Sequence, residues 1–262
     1  MSRIHLTFPC AGAQLFGTLD EAAAGAPGKA GLLIVTGGNE TRAGAFSGQA
    51  QLAARIAAAG HPVFRFDRRG VGDSEGANGG FLSSAPDIAA ALAAFRAAVP
   101  GMERVAGFGN CDGASALMLA RGAGLDALVL ANPWTIESED APPPPEAIRA
   151  RYSSKLRDPA EVLRLLTGKV SFGKLARGIK QALRPAPPPS SLAQQVAHGL
   201  GAFPGPATIL LAERDRTAQI FAAGWDPADP RLRHCPGASH AFVEAHAREW
   251  LAAQLLEMLA TL

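Results

Sequence analysis

A cysteine bracketed by glycines constrains this chain more than any other feature. Residues 107–113 read Gly-Phe-Gly-Asn-Cys-Asp-Gly and lie between an apolar strand pattern at 104–108 and a helix pattern at 112–122. Small residues two positions before and two positions after a central residue are typical of a sharp strand-to-helix turn, in which neighbouring backbone closes on both positions. Such a turn holds its central residue at positive φ and lifts the side chain above the sheet. The segment therefore predicts that Cys111 projects from the edge of a sheet.

The same turn places the Cys111 sulfur at the N-terminus of a helix. The helix dipole and the free N–H groups of the first turn favour a thiolate there. This arrangement has the form of a nucleophile elbow, with sulfur in the position where most such enzymes carry a serine hydroxyl. It predicts covalent catalysis by a cysteine. Inert core cysteines also occur in such segments, so the prediction depends on the rest of the chain.

Strand and helix patterns alternate along most of the 262 residues, which favours an α/β fold with a mostly parallel sheet. Residues 3–8 and 14–19 alternate as an antiparallel N-terminal hairpin, and the apolar run at 32–35 is typical of a buried strand. The later predicted elements are helix 46–59, strand 63–66, helix 86–98, strand 104–108, helix 112–122, strand 127–131, helix 191–202, strand 207–212, helix 216–223, strand 231–235 and helix 241–260.

The alternation stops after residue 132 and resumes at residue 191. Residues 1–132 and 191–262 are therefore predicted to form the core, and residues 133–190 an inserted helical cap. Within 141–190, ten Lys or Arg residues stand against three Asp or Glu, whereas the whole chain carries a formal charge of only +2. This asymmetry favours an anionic partner such as coenzyme A, an acidic carrier protein or an acidic glycan, with a solvated helical face as the alternative.

Composition excludes several other classes of protein. A hydrophobic content of 48% and a charge near neutrality give no signal for nucleic-acid binding. Cys10, Cys111 and Cys235 are widely spaced and form neither a disulfide framework nor a metal-ligand pattern. We therefore expect a reducing compartment, no metal and no cofactor. No window approaches the roughly 18 apolar residues of a membrane span, and the first residues lack a signal-peptide pattern. The expected location is the cytoplasm, and the sequence sets no oligomeric state.

A cysteine nucleophile needs a base and a third group that orients the base. In an elbow-bearing sheet enzyme the acid follows a late strand and the histidine follows the last one. Asp215 follows the predicted strand at 207–212, and His240 lies between the last strand and the final helix. Each has another interpretation, as a helix cap, and Asp226 and Asp229 are rival acids. The chain order and the strand-end positions together predict a catalytic triad of cysteine, histidine and aspartate.

A tetrahedral intermediate also needs donors for its oxyanion. The N–H of Asp112, directly after the cysteine, is one predicted donor. The second is expected from the Thr-Gly-Gly-Asn loop at 36–39, where Gly38 or Asn39 is the candidate and a simple glycine turn is the alternative. Arg42 follows in the same loop, where it is a candidate for binding an anionic substrate group or a solvated arginine.

Together these residues resemble the α/β-hydrolase superfamily. The resemblance implies an α/β-hydrolase fold, with a parallel sheet, an antiparallel N-terminal hairpin and an inserted cap. Residues 67–74, one of its motifs, are interpreted as a tight structural turn without chemistry. The other motifs are Gly-Gly at 37–38, the elbow at 109–113, Asp215, and Gly-x-x-His at 237–240.

A narrower resemblance rests on two short stretches. Gly-Gly-Asn-Glu-Thr-Arg-Ala-Gly at 37–44 and Gly-Asn-Cys-Asp-Gly at 109–113 are similar to the exosortase-associated hydrolases (type 1). Those enzymes are encoded near bacterial exopolysaccharide and protein-sorting genes, so the resemblance implies a hydrolase or acyltransferase without naming a substrate. Dienelactone hydrolases are another cysteine branch, but the large basic cap departs from their nearly capless pattern.

Sulfur narrows the expected chemistry. Expelling an alkoxide from a cysteine adduct is difficult because the thiolate is the better leaving group, whereas exchange with a thioester is nearly balanced. The predicted function is therefore a cysteine-nucleophile hydrolase or acyltransferase that uses small-molecule or carrier-bound thioesters or activated esters. The alternatives are a small-ester hydrolase of the carboxylesterase or dienelactone-hydrolase type, and a non-catalytic binding module with a redox-sensitive Cys111.

Overall fold

An eight-stranded sheet organises the residues that this computed structural model describes, which are 2–23, 29–137 and 190–262. The predicted cap at 133–190, with its basic charge, lies almost entirely outside the described residues. The strands are β1 (Arg3–Cys10), β2 (Ala13–Asp20), β3 (Ala30–Val35), β4 (Val63–Phe66), β5 (Arg104–Asn110), β6 (Ala127–Ala131), β7 (Ala207–Ala212) and β8 (Leu232–Cys235).

The order of the strands in the sheet is β1-β2-β4-β3-β5-β6-β7-β8. The pairs β1–β2 and β2–β4 are antiparallel, and every later pair is parallel. This confirms the predicted α/β-hydrolase fold class, including its antiparallel N-terminal hairpin. Because parallel strands end at the same edge of a sheet, the loops that follow β3, β5, β7 and β8 gather at one edge.

Helices cover both faces of the sheet, which is why β3 and β6 are buried along their whole length. Helices α1 and α6 pack on one face, and α2 to α5 pack on the other. No described helix is long and apolar enough to cross a bilayer. The helices are α1 (Gly48–Ala58), α2 (Ala85–Ala98), α3 (Asp112–Leu119), α4 (Ser191–Gly201), α5 (Arg216–Ala223) and α6 (Ala245–Ala260).

Two helices begin later than their apolar patterns predict. Helix α6 begins at Ala245 rather than at 241, because Phe242 has a left-handed backbone with φ of 50°. Helix α1 begins at Gly48 rather than at 46, because Phe46 and Ser47 have φ of 53° and 56°. A residue with a left-handed backbone cannot continue a right-handed helix. Both late starts lie in segments that follow strand ends on the side of the elbow.

Candidate active site

The turn between β5 and α3 has the predicted elbow geometry. Cys111 has φ of 59° and ψ of −128°, a conformation that costs energy in any residue with a side chain. A Cβ at Gly109 would lie 2.5 Å from the carbonyl carbon of Gly113. A Cβ at Gly113 would lie 2.5 Å from the carbonyl oxygen of Val35. Only glycine fits both positions, so β3, β5 and α3 close tightly around the cysteine.

His240 and Asp215 meet at the same edge of the sheet. Nδ1 of His240 lies 3.0 Å from Oδ2 of Asp215, whose side chain is only 8% exposed. The same carboxylate oxygen accepts the Ala218 N–H at 2.9 Å and so caps α5. Asp215 therefore satisfies both interpretations of its sequence position, as a helix cap and as the acid beside the histidine.

The electrostatics of His240 favour its protonated form. A hydrogen bond with Asp215, and after it a hydrogen bond with Cys111, raise the pKa of His240 to about 10, although burial acts in the opposite direction. A charged imidazolium is the natural partner for a thiolate. The three side chains thus form one hydrogen-bonded chain, ordered from Asp215 through His240 to Cys111.

The rival acids are engaged elsewhere. Asp229 holds the guanidinium of Arg231 and accepts the indole N–H of Trp225 at 2.8 Å, and the hydrogen bond from Arg231 lowers the pKa of that carboxyl. Asp226 accepts the backbone N–H of Ala228 at 2.9 Å. Within the described ranges, neither carboxylate forms a hydrogen bond or an ion pair with His240. In that part of the chain, no group of three His, Cys, Asp or Glu side chains is placed to hold a metal ion.

Two asparagines hold the backbone of His240 and were not singled out by the sequence. The side-chain N–H groups of Asn110 and Asn132 each donate to the His240 carbonyl at 3.1 Å. Asn132 also donates to the Asn110 side chain at 3.0 Å and accepts the Ala212 N–H at 2.9 Å. It is fully buried, with φ of 44°. The signal in the sequence was an asparagine at the end of each of two adjacent strand patterns, β5 and β6.

The predicted oxyanion loop is packed against the elbow, with one of its donors already engaged. The N–H of Gly38, one of the two candidate donors of this loop, donates to Oδ1 of Asp112 at 2.6 Å. The backbone N–H groups of Asn39 and Asp112 have no hydrogen-bond partner within the described residues. The reason is local: a carboxylate at the first position of α3 reaches the nearest N–H across the loop.

Arg68 is the third residue that the sequence analysis did not single out, because its segment, 67–74, was interpreted as structure alone. The Arg68 side chain is buried, donates to the carbonyl of Gly38, and donates to the Ser84 hydroxyl at 3.1 Å. One of its nitrogens lies 3.6 Å from Oδ1 of Asp112. Burial raises the pKa of Asp112, while Arg68 and the Gly38 N–H act to lower it. The buried guanidinium of Arg68 therefore lies beside the loop that is predicted to bind the oxyanion.

The rest of that segment is a turn, as predicted. The Ser74 hydroxyl donates to the Asp67 carbonyl at 2.7 Å, and the Asp67 carboxylate accepts the Asp73 N–H at 3.1 Å. Arg42 belongs to this network, and its contact with an anionic substrate group stays a prediction. Its guanidinium nitrogens contact the Thr18 hydroxyl at 3.0 Å, the buried Asp67, and Asp73 at 2.8 Å. A fully buried Asp67 needs a cation, and Arg42 supplies it.

A family model described as "Alpha/beta hydrolase family" matches residues 32–254 of this chain. The chain belongs to the alpha/beta hydrolase family. It is thus a hydrolase, as the motifs predicted. A comparison with curated protein sequences finds no match.

Several solved structures share the fold of this α/β hydrolase at low sequence identity. An esterase of Pyrococcus furiosus superposes with a TM-score of 0.63 at 14% identity, over 99% of this chain and 91% of that one. Est1E of Butyrivibrio proteoclasticus, solved with ferulic acid, has a TM-score of 0.61 at 16% identity, over 97% and 99% of the two chains. A serine hydrolase of Xanthomonas campestris described as lacking a lid has a TM-score of 0.57 at 16% identity, over 98% and 91%.

Proposed function

We propose that this α/β hydrolase transfers acyl groups through a covalent intermediate on Cys111. The observation that carries the proposal is the hydrogen-bonded chain from Asp215 through His240 to the strained elbow cysteine. A buried carboxylate that orients a histidine, which in turn contacts a nucleophile, is the arrangement that acyl transfer requires. The strain at Cys111 supports the same conclusion, because a positive φ at a non-glycine residue persists only where the surroundings enforce it.

The proposed reaction begins from the ion pair in which His240 already holds the Cys111 proton and its Nδ1–H is directed at Asp215. The thiolate attacks the acyl carbonyl carbon, and a carbon–sulfur bond forms as the carbonyl electron pair moves to oxygen. The N–H groups of Asp112 and Asn39 are the proposed oxyanion donors, and the Gly38 N–H joins them when the Asp112 carboxylate moves away. His240 protonates the leaving group as the original bond breaks. Water or an alcohol, deprotonated by His240, then releases the acyl group.

Thioesters and activated esters are the proposed acyl donors. The tetrahedral intermediate on Cys111 breaks down by expelling its less basic leaving group. A simple alkoxide is more basic than the cysteine thiolate, so it leaves less readily. A thiolate leaving group is matched to cysteine, so the acyl-enzyme forms without a large energetic bias. The proposed substrate is small or carrier-bound. An anionic carrier is proposed on the charge of residues 141–190 alone.

A small-ester hydrolase is the second candidate function. It is favoured by the esterases among the structural neighbours, one of which was solved with ferulic acid. The narrower membership, in the exosortase-associated hydrolases with their exopolysaccharide context, is proposed on residues 37–44 and 109–113. A reducing, cytoplasmic location is proposed because Cys10, Cys111 and Cys235 are all free thiols.

Intact-mass spectrometry tests the proposal directly. The protein is incubated separately with p-nitrophenyl acetate and acetyl-CoA, and the acylated residue is located by peptide mapping. We expect one acetyl group on Cys111, formed faster from these donors than from ethyl acetate. Cys111→Ala abolishes the adduct, whereas Cys235→Ala, which removes a buried thiol in β8, retains it.

Labelling with iodoacetamide at neutral pH separates catalysis from the non-catalytic alternative. We expect Cys111 to react far faster than the buried Cys10 and Cys235, with the advantage lost in acid as the thiolate is protonated. Equal labelling of the three thiols, together with no acyl adduct from either donor, would leave a binding module with a redox-sensitive cysteine.

A further inference from the structure

Arg68 is a buried cation beside the candidate site, and its contacts differ from those of its neighbour Arg69. Both follow β4, where Arg69 is the arginine of the Asp-x-Arg-Gly pattern and Arg68 stands at the x position. Arg69 pairs with the carboxylate of Asp87 at 2.5 Å. The Arg68 side chain is only 5% exposed, yet the Asp112 carboxylate lies 3.6 Å from it, which is longer than a direct hydrogen bond. Burying a cation without a close counterion is costly, so another partner is expected for Arg68.

That partner is the backbone of the predicted oxyanion loop. The Arg68 guanidinium donates to the carbonyl oxygen of Gly38 and, from another nitrogen, to the Ser84 hydroxyl at 3.1 Å. Its Nε has no hydrogen-bond partner within the described ranges. The Ser84 hydroxyl in turn donates to the Gly80 carbonyl at 3.2 Å, so the guanidinium is held from the side opposite the loop. Arg68 therefore connects its own segment to one carbonyl group of the loop.

Gly38 and Asn39 are the two central residues of a tight turn. The Glu40 N–H donates to the Gly37 carbonyl at 3.2 Å and closes the turn. Gly38 has φ of 57°, whereas Asn39 does not have a positive φ, which is the pattern of a type II′ turn. The middle peptide, which joins Gly38 to Asn39, can rotate to give a type I′ turn. That state needs a positive φ at the second central residue, which asparagine tolerates.

The orientation of this middle peptide decides where the Asn39 N–H points. In a trans peptide the carbonyl and the N–H point in opposite directions, and the described residues contain no cis peptide. With its carbonyl on Arg68, the peptide directs the Asn39 N–H away from the guanidinium. After rotation, a carbonyl oxygen would replace that N–H and would repel an oxyanion. The donor proposed at Asn39 therefore depends on one of two peptide orientations.

We propose that Arg68 is a positioning residue for acyl transfer: by binding the Gly38 carbonyl, it holds the loop in the orientation that presents the Asn39 N–H. This inference rests on the proposed function, since an oxyanion on Cys111 is what needs that donor. A guanidinium on the carbonyl side also polarises the peptide, which makes its N–H a stronger donor. Arg68 acts through this peptide and not by contact with the substrate.

Steady-state kinetics with an activated thioester test the inference in Arg68→Met, which keeps an unbranched side chain. We expect kcat to fall by about 100-fold, the cost of losing one oxyanion donor, with KM within about twofold. Arg68→Lys keeps the charge and should lose only about tenfold. Arg69→Met is the matched control: it removes the neighbouring arginine and its ion pair with Asp87, and kcat should stay within about twofold. A loss in Arg69→Met as large as that in Arg68→Met overturns the inference.

A substitution at Asn39 separates peptide orientation from a loss of packing. Valine resists a positive φ, so Asn39→Val hinders rotation of the middle peptide. Relative to Asn39→Val alone, adding Arg68→Met should therefore lower kcat by less than about fivefold. A loss of about 100-fold in both backgrounds would mean that Arg68 acts independently of this rotation, which contradicts the inference.

Crystal structures of the native protein and of Arg68→Met decide the question without turnover. In Arg68→Met we expect the middle peptide to be rotated, with a positive φ at Asn39. If the native enzyme forms no acyl-cysteine but the peptide rotates in the variant, the proposed function fails and the positioning by Arg68 stands. If the Gly38 carbonyl keeps its direction in the variant, the inference fails, whatever the result for acyl transfer. The same criterion applies to Arg68→Leu if Arg68→Met does not fold.

Discussion

The candidate site has two halves, one for proton transfer and one for binding the oxyanion. The two differ in how their groups are hydrogen-bonded. In the proton-transfer half, Asp215, His240 and Cys111 already form a hydrogen-bonded chain, with the Asp215–His240 distance at 3.0 Å. In the oxyanion half, the Gly38 N–H is held by the carboxylate of Asp112 at 2.6 Å, with Arg68 nearby. The side chains of the first half interact with one another, whereas a candidate donor of the second half is bound by a carboxylate of the protein itself.

This difference indicates how the proposed cysteine nucleophile can have a charged group beside its sulfur. A carboxylate next to a thiolate normally disfavours ionisation of the thiol. Here the Asp112 side chain is directed to Gly38 and Arg68, where donors compensate its charge. Its burial raises its pKa, so the carboxylate is also easier to neutralise or displace than a solvated one. In the resting state the candidate donor at Gly38 therefore binds an internal carboxylate.

Asp215→Asn, in the proton-transfer half, should have the largest effect on activity. The amide still caps α5 but no longer stabilises an imidazolium, so we expect kcat to fall by about 1,000-fold. Steady-state kinetics with an activated thioester measure this. Asp226→Asn, in a carboxylate engaged by the Ala228 N–H, is the control and should leave kcat within about twofold. Comparable losses in the two variants would contradict the assignment of Asp215.

Asn132→Ala should loosen the support of His240. The change leaves the Ala212 N–H without its acceptor, removes one of the two donors to the His240 carbonyl, and puts alanine at φ of 44°. We expect the free energy of unfolding to fall by about 2 kcal/mol, measured by urea denaturation. Asn78→Ala, which removes an exposed hydrogen bond to Asn39, should change it by less than about 0.5 kcal/mol. If Asn132→Ala leaves the free energy of unfolding unchanged, the proton-transfer half does not depend on this support.

Asp112→Asn should have a smaller and opposite effect, on the occupied half. A neutral amide holds the Gly38 N–H less strongly than a carboxylate, and it removes a negative charge beside the sulfur. We expect kcat/KM to rise by about fivefold, measured with p-nitrophenyl acetate. The control is Asp126→Asn. This carboxylate pairs with Arg96 and with Arg104, which lies at the end of β5 farther from the elbow. A fall in kcat/KM would show that the carboxylate supports the loop rather than competing with substrate.

The pH dependence of stability should show the smallest change. Because folding raises the pKa of His240 to about 10, its contribution is fully present below its unfolded pKa of about 6.5. It should decline as pH rises from there through about 10, and the exposed edge of the ring keeps it small. An NMR titration of His240 checks this, with Asp215→Asn expected to lower the midpoint because it removes the largest cause. An unchanged midpoint would mean that the two side chains are uncoupled.

Much of the fold was predictable because its signals are local. The strand pattern at 32–35 is continuous and apolar, those at 63–66 and 104–108 are mostly apolar, and all three lie in largely buried strands of the sheet. The starts of α1 and α6 were predicted too early, since apolar periodicity continues through residues such as Phe46 and Phe242. A left-handed φ at a non-glycine residue comes from tertiary packing, which periodicity does not report.

The candidate site was also predictable from the sequence only in part. Strand-end position placed Asp215 and His240 next to each other, as the chain order required. No sequence pattern indicated that Asp112 would reach Gly38, since this contact joins residues 74 positions apart. The role of Arg68 was also hidden, because a guanidinium can extend away from its own segment into a neighbouring one.

The hydrogen bonds of Asn132 have a consequence for how such enzymes diversify. This residue directly follows β6, and it joins the end of that strand to β7 and to the backbone of His240. Because these hydrogen bonds involve no residue of 138–189, that segment can change in length and sequence without removing the support of His240. Substrate preference can then evolve in that segment without each change disturbing the acid–base geometry.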